Sequence, residues 1–289
     1  MSWLSRLLLS PPALRGLEPL RDRVGGKTVL VTGASYGIGE ATALLLAQAG
    51  AEVILVARTA EKLERLVGQI HAEGGQATAY VADLYQVGDV PTLARTLEAN
   101  HPRIDIVVSN AGKSIRRSVL YAHERDDLGR CLALNFHSPA ALLTGLLPRM
   151  IRQGGGHIIN VSSAAARLPA APRWAAYQSS KAGFEVWLRG VANELRPKNI
   201  RASSVYLPLV RTRMIAPTRA YDRAPALTPL EAAQTIAYAI ARPRDRLAPW
   251  WLGSAELLSL LFTGPVERWM AWREVEGNRV GAGGKSDEP

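Results

Sequence analysis

The 289 residues carry 47% hydrophobic and 21% charged side chains, a balance that supports a buried core and excludes a mostly disordered, collagen-like or multi-span membrane chain. A net charge of +10 draws phosphate-bearing small molecules, anionic lipid or nucleic acid, but the basic residues are scattered Arg without a Lys/Arg block or interleaved aromatics, so no nucleic-acid partner is expected. The single Cys131 forms no intramolecular disulfide and, without clustered His or Cys, anchors no Cys-based metal site, so no metal is expected.

At the N-terminus Leu7-Leu8-Leu9 follows Arg6, but Pro11-Pro12 ends the run far short of the ~18 apolar residues of a spanning helix. No small-residue cleavage pattern follows it, and cytoplasmic residence is the expectation. From Lys27 onward short β-branched runs alternate with helical patterns, the order of parallel strands joined by crossover helices. Six strands are predicted, at Thr28–Thr32, Glu52–Ala57, Thr78–Ala82, Ile104–Ser109, His157–Ser162 and Arg201–Leu207. Nearly all are continuous apolar runs, as strands covered on both faces should be. Helices are predicted over Ile38–Ala49, Thr59–Glu73, Asp126–Gln153 and Ala175–Leu195, the last two stopped by Gly154-Gly155-Gly156 and by Pro197. The pattern is that of an α/β protein with a doubly wound parallel sheet. No repeat or linker divides it, which gives one domain over residues 26–245, an N-terminal extension over 1–25 and a C-terminal amphipathic extension and tail over 246–289.

The first candidate site is Thr32-Gly33-Ala34-Ser35-Tyr36-Gly37-Ile38-Gly39, between a strand and a helix. Glycines there let the backbone turn tightly and approach a pyrophosphate at the helix N-terminus, although the same turn could be purely structural. At the end of the second strand, where an acid would bind an adenosine ribose hydroxyl, the chain has Ala57-Arg58. A guanidinium pairs with a 2′-phosphate, which favours NADP(H) over NAD(H); a solvated Arg is the alternative. Asp83-Leu84 after the third strand could meet the adenine edge or cap the next helix. Asn110-Ala111-Gly112 offers small residues and one amide after the fourth strand. Ser162-Ser163 ends the fifth, and Tyr177 and Lys181 stand at i, i+4 on one helix face, where an ammonium favours ionisation of a phenol. Eight tyrosines and six lysines give well under one Tyr-x-x-x-Lys pair by chance, and here the pair follows the other segments in order, each at the carboxyl end of a strand.

In these residues the chain resembles the short-chain dehydrogenase/reductase family across roughly Gly26 to Thr212: Gly33, Ser35, Tyr36, Gly37, Ile38 and Gly39, then Asn110, Ala111 and Gly112, then Asn135, Ser163, Tyr177 and Lys181. The resemblance implies a Rossmann-type core, a dimer or tetramer, and hydride transfer between nicotinamide and a carbonyl or alcohol. It implies Tyr177 as general acid/base, Ser163 on the carbonyl oxygen, Lys181 on the nicotinamide ribose lowering the tyrosine pKa, and Asn135 holding a water in a proton relay. The physics agrees, since hydride arriving at a carbonyl carbon leaves charge on oxygen that needs a donor and a proton in one place. Three features depart from the family pattern. Ser163 precedes Tyr177 by 14 residues, one more than is common, with Ser162 as a substitute; Pro208-Leu209 stands for Pro-Gly, with Thr212 still able to reach the nicotinamide carboxamide; and a seventh strand is missing, Arg246–Trp250 being a weak candidate.

Substrate-facing residues are expected in Asn110–Tyr121, Ala164–Trp174 and Leu209–Thr228, where Leu168, Pro169, Pro172, Trp174, Met214 and Ile215 favour a hydrophobic ligand. The stretch from Pro208 to Pro229, with Val210-Arg211-Thr212, Ala216-Pro217-Thr218 and Pro225-Ala226-Leu227-Thr228-Pro229, resembles the reductase domains of bacterial fatty acyl-CoA reductases and related long-chain carbonyl reductases. Arg211, Arg213 and Arg219 could meet a CoA or carrier-protein phosphate or be solvated. Trp3, Trp250, Trp251, Trp269 and Trp272 lie outside the shared core, and Trp251, Ala255, Leu258 and Phe262 form one apolar stripe ahead of Pro265. That stripe either packs on the domain or another subunit, or lies at a membrane surface, making the protein peripheral. The leading expectation is an NADP(H)-dependent oxidoreductase acting on a hydrophobic long-chain aldehyde, ketone or alcohol. The alternatives are an NAD(H)-linked alcohol or steroid dehydrogenase and a non-catalytic nucleotide sensor.

Overall fold

Among the described residues seven strands, β1 (Thr28–Thr32), β2 (Glu52–Ala57), β3 (Gln76–Val81), β4 (Ile106–Ser109), β5 (Gly156–Ser163), β6 (Ile200–Leu207) and β7 (Arg246–Leu247), form one sheet in the order β3-β2-β1-β4-β5-β6-β7, every pair parallel. The helices in chain order are α1 (Glu18–Val24), α2 (Ile38–Gln48), α3 (Ala60–Ala72), α4 (Val90–Asn100), α5 (Val119–Ala122), α6 (Asp127–Leu132), α7 (Ser138–Arg152), α8 (Ala175–Leu195), α9 (Pro229–Ala241), α10 (Leu252–Leu261) and α11 (Thr263–Gly281). This computed structural model describes residues 14, 16–215, 221 and 224–281, the last seven by backbone alone. Trp3, Arg6, Leu7-Leu8-Leu9, Ala216-Pro217-Thr218 and Arg219 lie outside the described residues.

The continuous apolar strands split their side chains between two cores because successive residues point to opposite faces. On one face Val29, Val31, Val53 and Leu55 meet Leu46 of α2, Leu63 and Leu66 of α3, and Ile236 and Ile240 of α9; Leu20 and Val24 of α1 join them. On the other, Leu30, Ile54, Val107 and Ile158 meet Leu97 of α4, Leu143 and Leu146 of α7, and Phe184 and Leu188 of α8. Each such buried Leu or Phe contributes about 1.5–3 kcal/mol relative to exposure. The helical stretch Asp127–Arg152 is long and apolar enough to cross a membrane by length and composition, but Leu142, Leu143, Leu146 and Met150 spend that apolarity on the second core.

A seventh strand is therefore present where the sequence offers only a weak candidate: two residues long, it pairs Arg246 and Leu247 with Ser204 and Val205. Two helices the sequence reading does not single out complete the layers. In α9 the capping box of Thr228 and Glu231 fixes the start, and the small Ala232, Ala233 and Ala237 let it pack closely on the sheet. In α4 only Val90, Ala94 and Leu97 face inward.

Candidate active site

All the site residues predicted from the sequence lie at or beyond the carboxyl ends of β1 to β6, the edge at which parallel sheets leave a crevice. After β1 the chain turns through Gly33 (φ 67°) and Gly37 (φ 65°) into α2, conformations a side chain opposes. The N–H groups of Gly33 and Ala34 donate to the Val56 carbonyl, which ties the turn to β2. Asn110 Nδ2 donates to the carbonyls of Thr32 and Gly33 at 2.9 and 3.3 Å, and Thr32 Oγ1 accepts from the N–H groups of Asn110 and Ala111. A Cβ on Gly33 would lie 2.9 Å from the Ala111 Cα, so Ala111 leans on the turn. Ser35 is buried, and Thr212 reaches over the turn, 3.3 Å from where a Cβ on Gly37 would stand. No side chain caps Gly37, so the first N–H groups of α2, from Ile38, Gly39 and Glu40, are left for a ligand. This cradle, held open by glycines and ended by uncapped donors, fits a pyrophosphate.

Arg58 follows β2 and is exposed, and the pairing of Ala57 with Val81 sets it beside the exposed Asp83 and the buried Leu84. Asp83 caps its own turn, accepting from the Tyr85 N–H. Leu84 offers its carbonyl to Ser138 Oγ at the start of α7. Tyr36 lies between two cations, Lys62 at 5.2 Å and Arg213 at 5.5 Å from its ring centroid. Arg58, Lys62 and Arg213 thus give this corner a positive charge that fits a phosphate, Lys62 and Arg213 being cations that the sequence reading does not assign to it. Arg211 instead donates to the Ala224 carbonyl.

The chemistry-bearing side chains converge where β5 meets α8. Ser163 Oγ hydrogen-bonds the Tyr177 hydroxyl, a bond that favours the phenolate, and also accepts from the Ala165 N–H at 3.2 Å. Ser162 is buried with its Oγ unpartnered, so of the two serines it is Ser163 that meets Tyr177. Lys181 Nζ donates to the Val161 carbonyl at 3.1 Å and lies against Gly112, where an added Cβ would stand 3.3 Å away. Burial pushes the Lys181 ammonium down to about 8. The phenol of Tyr177 moves the opposite way from the sequence expectation: burial raises it above its ordinary value, and the Ser163 hydrogen bond only partly counters this.

Asn135 sits in a π-helical turn, Ala133–His137, between α6 and α7, and is buried. Its Oδ1 accepts from the Lys113 N–H at 2.8 Å, and its Nδ2 donates to the Lys113 carbonyl and to Ser180 Oγ. Both amide hydrogens are thus taken by protein groups, and the side chain fixes the wall formed by Gly112 and Lys113. Gln178, which the sequence reading passes over, accepts from the Ala171 N–H and donates to the Ala165 and Pro169 carbonyls, so it clamps the Ala164–Trp174 loop over the site. Its position inside the Tyr-to-Lys segment is the one sequence cue it offers.

The substrate side is walled by that loop and by Trp174 stacked on Tyr221, and the C-terminal helices hold the loop from outside. Arg167 pairs with Glu256 of α10, and Arg173 with Glu274 of α11 at 2.6 Å. The expected stripe packs inward only at its start: Trp251 lies against the buried Ala164, Tyr206 and Leu252 and Ala255 is half-buried, while Leu258 and Phe262 are more than half exposed. The helix breaks at Phe262, and Pro265 falls in the first turn of α11, where a missing N–H costs nothing.

Residues 27–223 match the profile of the family described as short chain dehydrogenase. Among curated proteins, the chain is 43% identical over 234 residues to the fatty acyl-CoA reductase of Acinetobacter baylyi, covering 80% of this chain and 79% of that one. It is 37% identical over 245 residues to a fatty acyl-CoA reductase of Mycobacterium tuberculosis, covering 84% and 82%. Among solved structures, it superimposes with a TM-score of 0.67 and 32% identity on a metagenomic short-chain oxidoreductase in complex with NADP, covering 78% of this chain and 97% of that one.

Proposed function

From the premise that this chain belongs to the short-chain dehydrogenase/reductase family and is an oxidoreductase of it, we propose that it reduces hydrophobic, long-chain carbonyl compounds with NADPH. The observation that carries this reading is the contact of the Tyr177 hydroxyl with Ser163, at the end of a crevice lined by Gly112, Lys181 and the glycine turn. Bound in that crevice, reduced nicotinamide supplies the hydride, which no side chain here could. Gly33, Ser35, Tyr36, Gly37, Ile38 and Gly39 would hold the diphosphate end, Asp83, Leu84, Asn110 and Ala111 the adenosine side, Gly112 and Lys181 the nicotinamide ribose, and Thr212 the carboxamide.

As the carbonyl carbon gains hydride, charge grows on its oxygen. Ser163 Oγ donates a hydrogen bond to that oxygen and Tyr177 gives it the phenolic proton, so the products are an alcohol and oxidised nicotinamide. A phenol held above its ordinary pKa is fully protonated at neutral pH, the state a reductase needs before turnover. Lys181, with a pKa of about 8, is mostly charged at neutral pH and favours the phenolate that remains. Asn135 acts as a positioning residue through Lys113.

Arg58, Lys62 and Arg213 support NADP(H) over NAD(H), because a 2′-phosphate would find three cations where NAD would offer only hydroxyls. The apolar Ile115, Leu168, Trp174 and Met214 support a hydrophobic substrate, in line with the names of the two relatives. The test is NADPH consumption over aldehydes, ketones and acyl thioesters of graded chain length, with wild type and Tyr177→Phe. Activity should rise with chain length and fall by about 10²–10⁴-fold in Tyr177→Phe while NADPH still binds. Activity confined to small polar carbonyls overturns the substrate class, and NADPH binding without turnover of any of them favours a sensor.

A further inference from the structure

The exposed face of α10 carries Leu257, Leu258, Leu260, Leu261 and Phe262, with Leu260 71% and Leu261 67% exposed. Between Trp250 and Phe262 the only charged residue is Glu256, and it is turned onto Arg167. What remains toward solvent is an uncharged, leucine-rich surface, larger than the isolated apolar residues any soluble protein shows. In α11 Trp269 and Trp272 are more than half exposed, and the Arg273 guanidinium lies over the Trp269 ring at 5.1 Å. A second exposed apolar turn is formed by Val119 and Leu120 of α5. The two surfaces are joined through one residue, since Arg173 accepts from the Arg117 N–H with its carbonyl and pairs with Glu274 with its side chain.

We infer that this face docks on an anionic lipid bilayer, with α10 lying in the interface and the tryptophans of α11 at the headgroup level. An amphipathic ring stacked under a guanidinium matches the headgroup zone, where apolar body and charged tip both find partners. The exposed Arg246 just before α10 and Arg116 just before α5 flank the apolar surfaces. With these arginines beside the apolar surfaces and the one acid of α10 held by Arg167, the face offers no carboxylate of α10 to a second copy, and the net charge of +10 draws it to anionic lipid as the occupant. If the proposed reduction of long-chain carbonyls holds, the docked orientation turns the crevice mouth toward the phase in which such substrates dissolve; the docking itself does not depend on that reading.

The experiment is co-sedimentation of the full chain with vesicles of phosphatidylcholine and phosphatidylglycerol in about a 3:1 ratio, beside pure phosphatidylcholine vesicles. Wild type should sediment with the anionic vesicles, and partitioning should fall by about tenfold or more in Leu260→Asp/Leu261→Asp, which exchanges two solvent-facing leucines for charges. Tryptophan emission of wild type should be quenched by brominated lipid and that of the variant spared. NADPH oxidation with a short, water-soluble aldehyde should be equal in the two. Wild type remaining in the supernatant overturns the proposal, as does a variant that sediments like wild type. So does a wild-type dimer in sedimentation velocity that the variant dissolves, since the face is then covered by a second copy. Vesicle binding as expected without any carbonyl reduction leaves the docking in place and removes the enzymatic reading.

Discussion

Replacing Gly39 by Ala tests the cradle more sharply than any change in a side chain. A methyl there would stand 2.2 Å from the Gly33 carbonyl oxygen and 2.7 Å from Asn110 Nδ2, against the 3.0 Å below which real Cβ contacts essentially do not occur. The obstacle is backbone, so relief requires the start of α2 and the turn to separate by about 0.8 Å. That movement breaks the 3.3 Å bond from Asn110 Nδ2 to the Gly33 carbonyl and strains the 2.9 Å bond to Thr32. One bond broken and one weakened, at up to ~1 kcal/mol each, with ~1–3 kcal/mol for the overpacking, predict a loss of about 2–5 kcal/mol. Urea unfolding followed by tryptophan emission measures it, and NADPH fluorescence should show binding weakened by about a hundredfold, because the uncapped N–H groups lose their aim. Gly68→Ala is the control: it lies exposed inside α3 with nothing within 4 Å of the added methyl, and should stabilise by ~0.5–1 kcal/mol. If Gly39→Ala unfolds with wild type and binds NADPH equally well, the turn is not the packed cradle described above.

Arg58→Ala should weaken NADPH binding by about ten- to a hundredfold in fluorescence titration and leave NADH unchanged, since only the 2′-phosphate loses a charged partner. His157 at the start of β5 bonds Ser203 Oγ at 2.8 Å, and burial, with Arg201 and Arg23 adding to it, lowers it to about 4. The unfolded chain therefore takes up the proton first, so stability should fall as pH drops from about 6.5 to 4, by on the order of 3 kcal/mol, and level off below; urea titrations of His157→Gln should lack this slope. Glu185, buried on α8, accepts from Tyr206 Oη at 2.5 Å and Asn160 Nδ2 at 3.0 Å. Glu185→Ala strands the Tyr206 hydroxyl and leaves Asn160 Nδ2 only its 3.3 Å bond to Ser204 Oγ, and should cost about 2–4 kcal/mol, whereas Glu185→Gln, which keeps an acceptor for one of them, should cost less in the same unfolding assay.

The strands β1, β2 and β6 stand almost where their apolar runs predict, because runs such as Val29–Val31 and Val53–Val56 are buried on both faces and nothing local competes with them. The α8 boundaries also match, fixed by Pro197 and by Asn199 in the left-handed region at φ 58°. The two-residue β7 is too short for any periodicity, and it exists only because β6 offers an open edge to Arg246 and Leu247. The order of Gly33, Asn110, Ser163, Tyr177 and Lys181 announces the site, but their electrostatics do not follow from spacing. The i, i+4 rule counts the charge of Lys181 and omits the desolvation that raises the Tyr177 phenol. Gln178 and Asn135 hold their partners through backbone atoms of distant loops, contacts a one-dimensional reading has no means to list.

Arg173 adopts φ 67°, a left-handed angle that costs a non-glycine residue on the order of 1–3 kcal/mol. Its side chain is moored to Glu274, a hundred and one positions later in the chain. The far end of the polypeptide therefore works as a guy rope on the rim of the reaction chamber. Cutting the protein before Thr263 would spare every proton-handling group and yet slacken the segment leading into Tyr177, so that truncation should damage substrate selection before it damages coenzyme retention.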